Sequence, residues 1–312
     1  MDIRRRRLTA VFVAVGLILT VFALAAGTGM SAPGLQPPEV SGSRVDSRVA
    51  RAGRTAGDSL ALSVTDAKAR AAVARIARSG QPLFCGGKKP YVALTFDDGP
   101  TPTTPKLTKL LRDSGVSATF FVLGSKLNKD RSSVDEMKSA GEIANHSWSH
   151  TAYTTLGNKE LKTELKDTEA LNKTTQGSTP LLARPPYGAR DERVNKIIAK
   201  QKLAEILWSA DTQDALNASW QQVASSAIDG IGPGAIVLMH DGQDTTLTAL
   251  KKKILPAARR RKLQFVTLSE FLAVNPPTDE QLKAGPQGCA HAGKRNVTGL
   301  FFEPSEQLGY KP

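Results

Sequence analysis

Cysteine is nearly absent from this 312-residue sequence, which holds only Cys85 and Cys289. A disulfide-dense scaffold is therefore excluded, and at most one bridge can form. No cysteine closely follows the apolar run near the N-terminus, which excludes a lipoprotein anchor. Histidine is scarce too, so imidazole chemistry can come only from His146, His150, His240 or His291. Acidic residues are outnumbered, 29 against 42 basic ones, giving a net charge of +13. There is no internal repeat, which sets aside repeat architectures. What remains is ordinary for a globular protein: 40% hydrophobic and 23% charged residues, enough for one large domain with appendages.

Part of the positive charge lies at the start. Arg4, Arg5, Arg6 and Arg7 directly precede an uncharged apolar run, Leu8 to Ala26. This is the pattern of an export signal, and Ala23-Leu24-Ala25 supplies small residues at the right spacing. The run is also nearly long enough to span a bilayer, and arginines on its cytoplasmic side fit a retained anchor. Both readings put the rest of the chain outside the cytoplasmic membrane, secreted or membrane-anchored. For such a protein the basic surplus points to an anionic cell wall surface rather than to nucleic acid. The clusters KKK at 251–253 and RRRK at 259–262 read as a solvated helix face in a stretch that Pro256 kinks or ends. In an oxidising compartment Cys85 and Cys289 are expected to pair, tying the start of the folded domain to its tail.

Texture changes along the chain. Residues 27–64 are rich in Gly, Ser, Pro, Arg and Asp and read as a tether. An Ala/Arg helix follows, capped by Thr65 or Asp66 and stopped at Gly80, and it either packs on the domain or forms part of the spacer. The expected organisation is an export signal or anchor over 1–30, a flexible tether over 31–82 with one helix at 66–79, a catalytic domain over 83–275 and a tail over 276–312. From Pro90 on, short apolar runs alternate with amphipathic stretches. Strands are predicted at 91–96, 118–123, 142–145, 181–184, 204–208, 235–239 and 264–267. Helices are predicted at 103–114, 132–140, 158–175, 190–201, 217–230, 244–261 and 269–273. Such alternation specifies an α/β fold with a parallel sheet under helices, a barrel or an open doubly wound sheet, whose chemistry sits at the carboxyl ends of the strands.

Polar residues collect at those ends. Asp97 and Asp98 follow strand one, Asn145 and His146 strand three, and Arg184 ends strand four. Asp211 and Asp214 follow strand five, and His240 strand six. His146 and His150 are four apart, a spacing that lets two imidazoles share a divalent ion with a carboxylate. One of Asp97 and Asp98 can be that carboxylate, leaving the other to act as base on a water, kept ionised by Arg184. His240 can serve as a general acid oriented by Asp211 or Asp214. His291, beside Cys289, reads as non-catalytic.

Five motifs carry these residues in order: TFDDGPTP at 95–102, HSWSH at 146–150, RPPYG at 184–188, DTQD at 211–214 and LMHDG at 238–242. The set resembles the polysaccharide deacetylases, carbohydrate esterase family four, over about residues 85–275. The resemblance implies a distorted (β/α)7 barrel and metal-dependent removal of acetyl groups from N-acetylated sugars. It implies Asp97 as catalytic base, Arg184 as the residue that orients it, His240 as catalytic acid and Asp214 as its tuner. Asp98, His146 and His150 match the metal ligands, most readily for Zn²⁺, with Co²⁺ or another late first-row ion as alternatives. Tyr187, whose backbone N–H meets the oxyanion, falls on the substrate side together with Pro186 and with Leu238, which lines the pocket for the acetyl methyl. One departure stands out: Ala215 occupies the position where the family has a groove-wall tryptophan, with Trp208 and Trp220 nearby in sequence.

The expected activity is deacetylation of N-acetylglucosamine in a cell-envelope polysaccharide, peptidoglycan first, by a monomer without nucleic-acid partners. Chitooligosaccharides and acetylated xylan are the alternative substrates, and an inactive wall-binding barrel is the non-enzymatic alternative. No cellulose- or chitin-binding module is visible.

Overall fold

The computed structural model describes residues 66–176 and 181–290. The expected signal or anchor, the tether up to residue 65 and His291 lie outside the described residues. Among the described residues no helix is long and apolar enough to cross a membrane.

The centre of the fold is β1 (Tyr91–Gly99). Around it the chain runs α2 (Thr104–Asp113), β2 (Ala118–Val122), α3 (Gly124–Lys129), α4 (Ser133–Ala140) and β3 (Gly141–Asn145). Then come α5 (Asn158–Gln176), β4 (Leu182–Ala183), α6 (Glu192–Lys200), β5 (Ala204–Glu205) and β6 (Ala210–Asp211). The last part is α7 (Trp220–Gly230), β7 (Ile236–His240), α8 (Asp244–Ala249), α9 (Leu255–Arg260), β8 (Gln264–Phe265), α10 (Leu268–Val274) and α11 (Asp279–Ala284). The N-terminal helix α1 spans Asp66–Ser79. Strand order is β5-β4-β3-β2-β1-β7-β6, with β8 pairing the start of β1. Every strand pair is parallel. The sheet curls into a half-barrel of the (β/α)7 type, covered by helices. Leu83 bridges to Ile206 and Cys85 to Ala235, so the 83–85 segment ties the β5 side to the base of β7.

Side-chain alternation on β1 sorts the core into two halves. Val92, Leu94 and Phe96 join the cluster beneath the outer helices, with Leu107, Val134, Val223 and Leu250. Ala93 joins the cluster inside the curl, with Phe121, Ile206, Leu238 and Phe271. Thr95 and Asp97 follow the parity of Ala93, so a carboxylate emerges on the inner face as soon as the apolar run ends.

The structure departs from the predicted elements in four places. The helix assigned to a tether, α1, has Val73, Ile76 and Ala77 buried in the inner cluster and belongs to the packed unit. The single predicted helix at 132–140 is preceded by a further short helix, α3. The predicted strand at 204–208 is cut to two residues, and β6 forms separately beside β7. The helix at 244–261 continues past Pro256 by a π-helical turn, Leu250–Ile254. Proline has no N–H for the carbonyl four residues back, and the wider register absorbs that loss.

Lys251, Lys252 and Lys253 are exposed on this turn, with Lys252 Nζ 4.9 Å from the Trp220 ring centre. Two arginines of RRRK meet the C-terminal ends of neighbouring helices. Arg259 donates to Ser114 O (2.9 Å), and Arg261 donates to Ile228 O (2.9 Å) and Ile231 O (2.8 Å). Cations there satisfy orphan carbonyls and oppose the helix dipole. Cys85 and Cys289 form a disulfide.

Candidate active site

β1 positions the two aspartates differently. Asp97 keeps the strand conformation and points inward, while Asp98 adopts φ 70. That left-handed step turns the second carboxylate away from the first, at a backbone cost typical of functional sites. The turn is held by Asp241, a residue not singled out by the sequence. Its N–H donates to Asp97 O (2.8 Å), and its carboxylate accepts from the hydroxyls of Thr101 (3.0 Å), Thr103 (3.1 Å) and Thr104. The hydroxyl-rich TPTT after the Gly-Pro turn was the available signal. Lys126 adds a second hold, donating to Asp98 O at 3.0 Å.

Asp98, His146 and His150 are all buried, and one ligand atom from each lies within 4.8 Å of the others. Asp98 Oδ1 is 3.5 Å from His146 Nε2 and 3.1 Å from His150 Nε2. Their fit to a divalent ion can be read from the donors. His146 Nδ1 lies 2.9 Å from Arg184 O. A carbonyl only accepts, so Nδ1 carries a proton, and Nε2 is the nitrogen left facing Asp98. Burial pulls the pKa of His150 down to about 4, against the opposing pull of Asp98, which leaves a neutral imidazole. Its Nδ1 is 3.1 Å from Tyr187 Oη. Two imidazoles and a carboxylate suit Zn²⁺ or a similar late first-row ion.

Asp97 faces Arg184. The guanidinium is fully buried and donates from Nη1 to Asp97 Oδ1 (2.7 Å) and to Thr95 Oγ1 (2.9 Å). Nε and Nη2 donate to the carbonyls of Ile206 (3.2 Å) and Leu207 (3.1 Å), and the Phe121 ring lies 4.1 Å away. A buried cation with this many acceptors is held in one pose.

On the other side, His240 ends β7. Of its two candidate partners it is Asp214 that binds it, accepting from Nδ1 (2.7 Å) and from the His240 N–H (2.8 Å). Asp211 instead accepts the Gln213 N–H at 2.8 Å. Burial pulls the His240 pKa down, but the Asp214 charge and hydrogen bond, aided by Asp98 and Asp97, hold it up at about 10. Register places Asp97 opposite His240 and Thr95 opposite Leu238, so the Arg184-bound carboxylate and the Asp214-bound imidazole stand on adjacent strand ends.

Tyr187 lies in a left-handed conformation (φ 60), its ring centre 4.5 Å from that of His150. Pro186 and Leu238 are buried beside it and on β7 respectively. Next to Ala215, Leu216 is 56% exposed, the one large apolar side chain so placed among the described residues. Trp208 is buried against the RPPYG turn, its ring 5.6 Å from the Arg184 guanidinium. Trp220 belongs to the outer helical layer.

The polysaccharide deacetylase family model matches residues 86–206. A peptidoglycan-N-acetylglucosamine deacetylase of Bacillus cereus is 34% identical over 188 residues, which cover 58% of this chain and 87% of the relative. The chain belongs to the polysaccharide deacetylase family. The peptidoglycan-N-acetylglucosamine deacetylase PgdA of Listeria monocytogenes is 35% identical over 199 residues, 63% of this chain. The chain spans 40% of that relative's length. Among solved structures, the family 4 carbohydrate esterase of Streptomyces lividans, in complex with acetate, superimposes with a TM-score of 0.56 at 33% identity. That match covers 62% of this chain and all of the esterase chain.

Proposed function

We propose that this polysaccharide deacetylase removes N-acetyl groups from N-acetylglucosamine in a cell-envelope polysaccharide, with peptidoglycan as the polymer. One observation carries the reading. A buried Asp-His-His donor set lies beside a carboxylate locked to an arginine, and the adjacent strand end carries a histidine locked to an aspartate. Amide hydrolysis needs these three functions together: an electrophilic aid, a base for water and an acid for the departing amine. The B. cereus and L. monocytogenes relatives carry peptidoglycan-N-acetylglucosamine in their names, which supports the choice of polymer.

Asp98, His146 and His150 would hold the ion, zinc by the donor chemistry. When bound, it supplies polarisation of the acetyl carbonyl and a lowered pKa for water. Asp97 takes the proton from the attacking water. Arg184 keeps Asp97 aimed through its Nη1 bond to Oδ1. The Tyr187 N–H donates to the oxyanion of the tetrahedral intermediate. His240, protonated through its pairing with Asp214, gives its proton to the amine nitrogen as the C–N bond breaks. Pro186 and Leu238 bound the space for the acetyl methyl. The products are acetate and a free amino sugar. Arg4–Arg7 and the apolar run behind them support export, with the catalytic unit facing the wall and the basic surplus favouring that anionic surface.

Acetate release from peptidoglycan, chitooligosaccharides and acetylxylan, with metal stripped and restored, tests the reading. Metal-dependent release, greatest from peptidoglycan, is expected. Release from xylan alone would overturn the substrate, and no release from any polymer would leave a binding barrel.

A further inference from the structure

We propose that Glu164 is a positioning residue for the loop His146–His150, setting the geometry in which both imidazoles meet Asp98. The inference rests on the metal-site reading above. The loop is unusual in how its backbone is held. Ser147 (φ 77) and His150 (φ 65) both adopt the left-handed conformation, and neither is glycine. Each is disfavoured by its own Cβ, so the shape must be imposed by its surroundings.

The N–H groups of 147 to 150 all donate to side chains. Ser147 donates to Asn145 Oδ1 (2.9 Å) and His150 to Ser147 Oγ (2.9 Å), both acceptors local to the strand end. Trp148 and Ser149 both donate to Glu164 Oε2 (2.8 Å each). Glu164 Oε1 also accepts from the Ser149 hydroxyl at 2.8 Å. Glu164 is thus the one acceptor for these four N–H groups that comes from another element, α5. Two successive N–H groups converging on one carboxylate oxygen fix the direction of the chain between the two histidines. Charge-assisted bonds of this kind are about twice as strong as neutral ones.

The opposite edge of the loop is closed by α3. The N–H groups of Gly124 and Ser125 donate to Ser147 O (2.9 Å) and Trp148 O (3.1 Å). Gly124 permits this approach, since a Cβ there would lie 2.5 Å from the Trp148 ring. Asn145 Nδ2 donates to Leu165 O (2.9 Å), giving α5 a second grip next to Glu164. The loop therefore sits between α3 and α5, and Glu164 supplies the side-chain bonds that span its centre.

Zinc affinity of the full-length protein, measured by competition with a chromophoric chelator, tests this, together with the visible spectrum of the Co²⁺-loaded form. Glu164→Ala should lower zinc affinity by about 10- to 100-fold, the range seen for supporting residues around metal ligands, and shift the Co²⁺ bands. Glu164→Gln keeps a carbonyl oxygen for the two N–H groups and should restore most of the affinity. A folded Glu164→Ala with wild-type zinc affinity and Co²⁺ spectrum would overturn the inference, even if its activity fell. Should Glu164→Ala fail to fold by circular dichroism, Glu164→Asp decides. It keeps the carboxylate but draws it back by one methylene from the Trp148 and Ser149 N–H groups, so weakened zinc binding supports the inference and unchanged binding overturns it. A wild-type protein that binds neither ion would refute the metal site itself, a different outcome from a variant that binds as well as wild type.

Discussion

Asp214 grips His240 at two points, its Oδ1 on the ring Nδ1 at 2.7 Å and its Oδ2 on the backbone N–H at 2.8 Å. The carboxylate thereby fixes both where the ring stands and which nitrogen faces it. Burial acts first and downward on the His240 pKa, yet Asp214 reverses it and holds the group at about 10. A histidine raised above its ordinary value of about 6.5 contributes stability below that pH and loses it as the pH rises through the folded value. The Asp214–His240 pairing should therefore stabilise the fold at neutral pH and weaken as the pH approaches 10. In Asp214→Asn the downward pull of burial prevails. Its turnover should fall and its alkaline limb should move to lower pH. An unchanged pH profile of kcat would contradict the assignment of His240 as acid.

Asp97→Asn separates chemistry from metal binding. The amide keeps the shape of the side chain and one acceptor for Arg184 but cannot take a proton. Turnover should drop by about 10²- to 10⁴-fold, the usual contribution of a general base, while zinc content stays at the wild-type level. Metal analysis beside acetate release checks both halves. A variant keeping substantial acetate release would remove Asp97 from the role of base.

Arg184→Met tests how far site and fold share one residue. Removing the guanidinium leaves Asp97 buried without its cation and orphans the carbonyls of Ile206 and Leu207. Breaking a buried pair in this way costs about 3–5 kcal/mol, readable from urea unfolding. Arg184→Lys should recover little, because an ammonium cannot copy the planar fork that reaches four acceptors.

The Cys85–Cys289 bridge closes a stretch of 204 residues. Replacing both cysteines by alanine should lower stability by about 2–5 kcal/mol, and the same loss should follow reduction of the native protein. Because both cysteines lie away from the strand ends that carry the donors, activity at low temperature should be retained. Unchanged urea unfolding on reduction would show that the bridge adds nothing to the packing already present.

Most of the chemistry was legible because it sits where the chain itself announces a change. Asp97 and Asp98 interrupt an apolar run, His146 follows Asn145 at the end of β3, and His240 ends β7. In parallel strands buried on both faces, any polar residue at a carboxyl end is conspicuous. The supporting residues had no such mark. Glu164 lies among other polar residues of α5 and Asp241 beside a histidine that draws the eye, and their roles exist only through contacts 15 or more positions away. The same reason hid the place of α1, though not its bounds. An Ala/Arg helix after a Gly/Ser/Pro stretch has the composition of a spacer, and only packing reveals that Val73 and Ile76 are core. The short β6 was missed because two residues carry no periodicity to read.

The turn Arg184–Gly188 has a consequence for any attempt to retune this protein. One residue, Arg184, orients His146 through its carbonyl and Asp97 through its guanidinium, and Tyr187 three positions on meets His150. In the proposed function, the hold on the imidazoles and the aim of the base thus share the same five residues, and a change there should move both. Glu164 of α5 instead reaches the imidazole loop at Trp148 and Ser149. Retuning the ion apart from the base should therefore start from that helix.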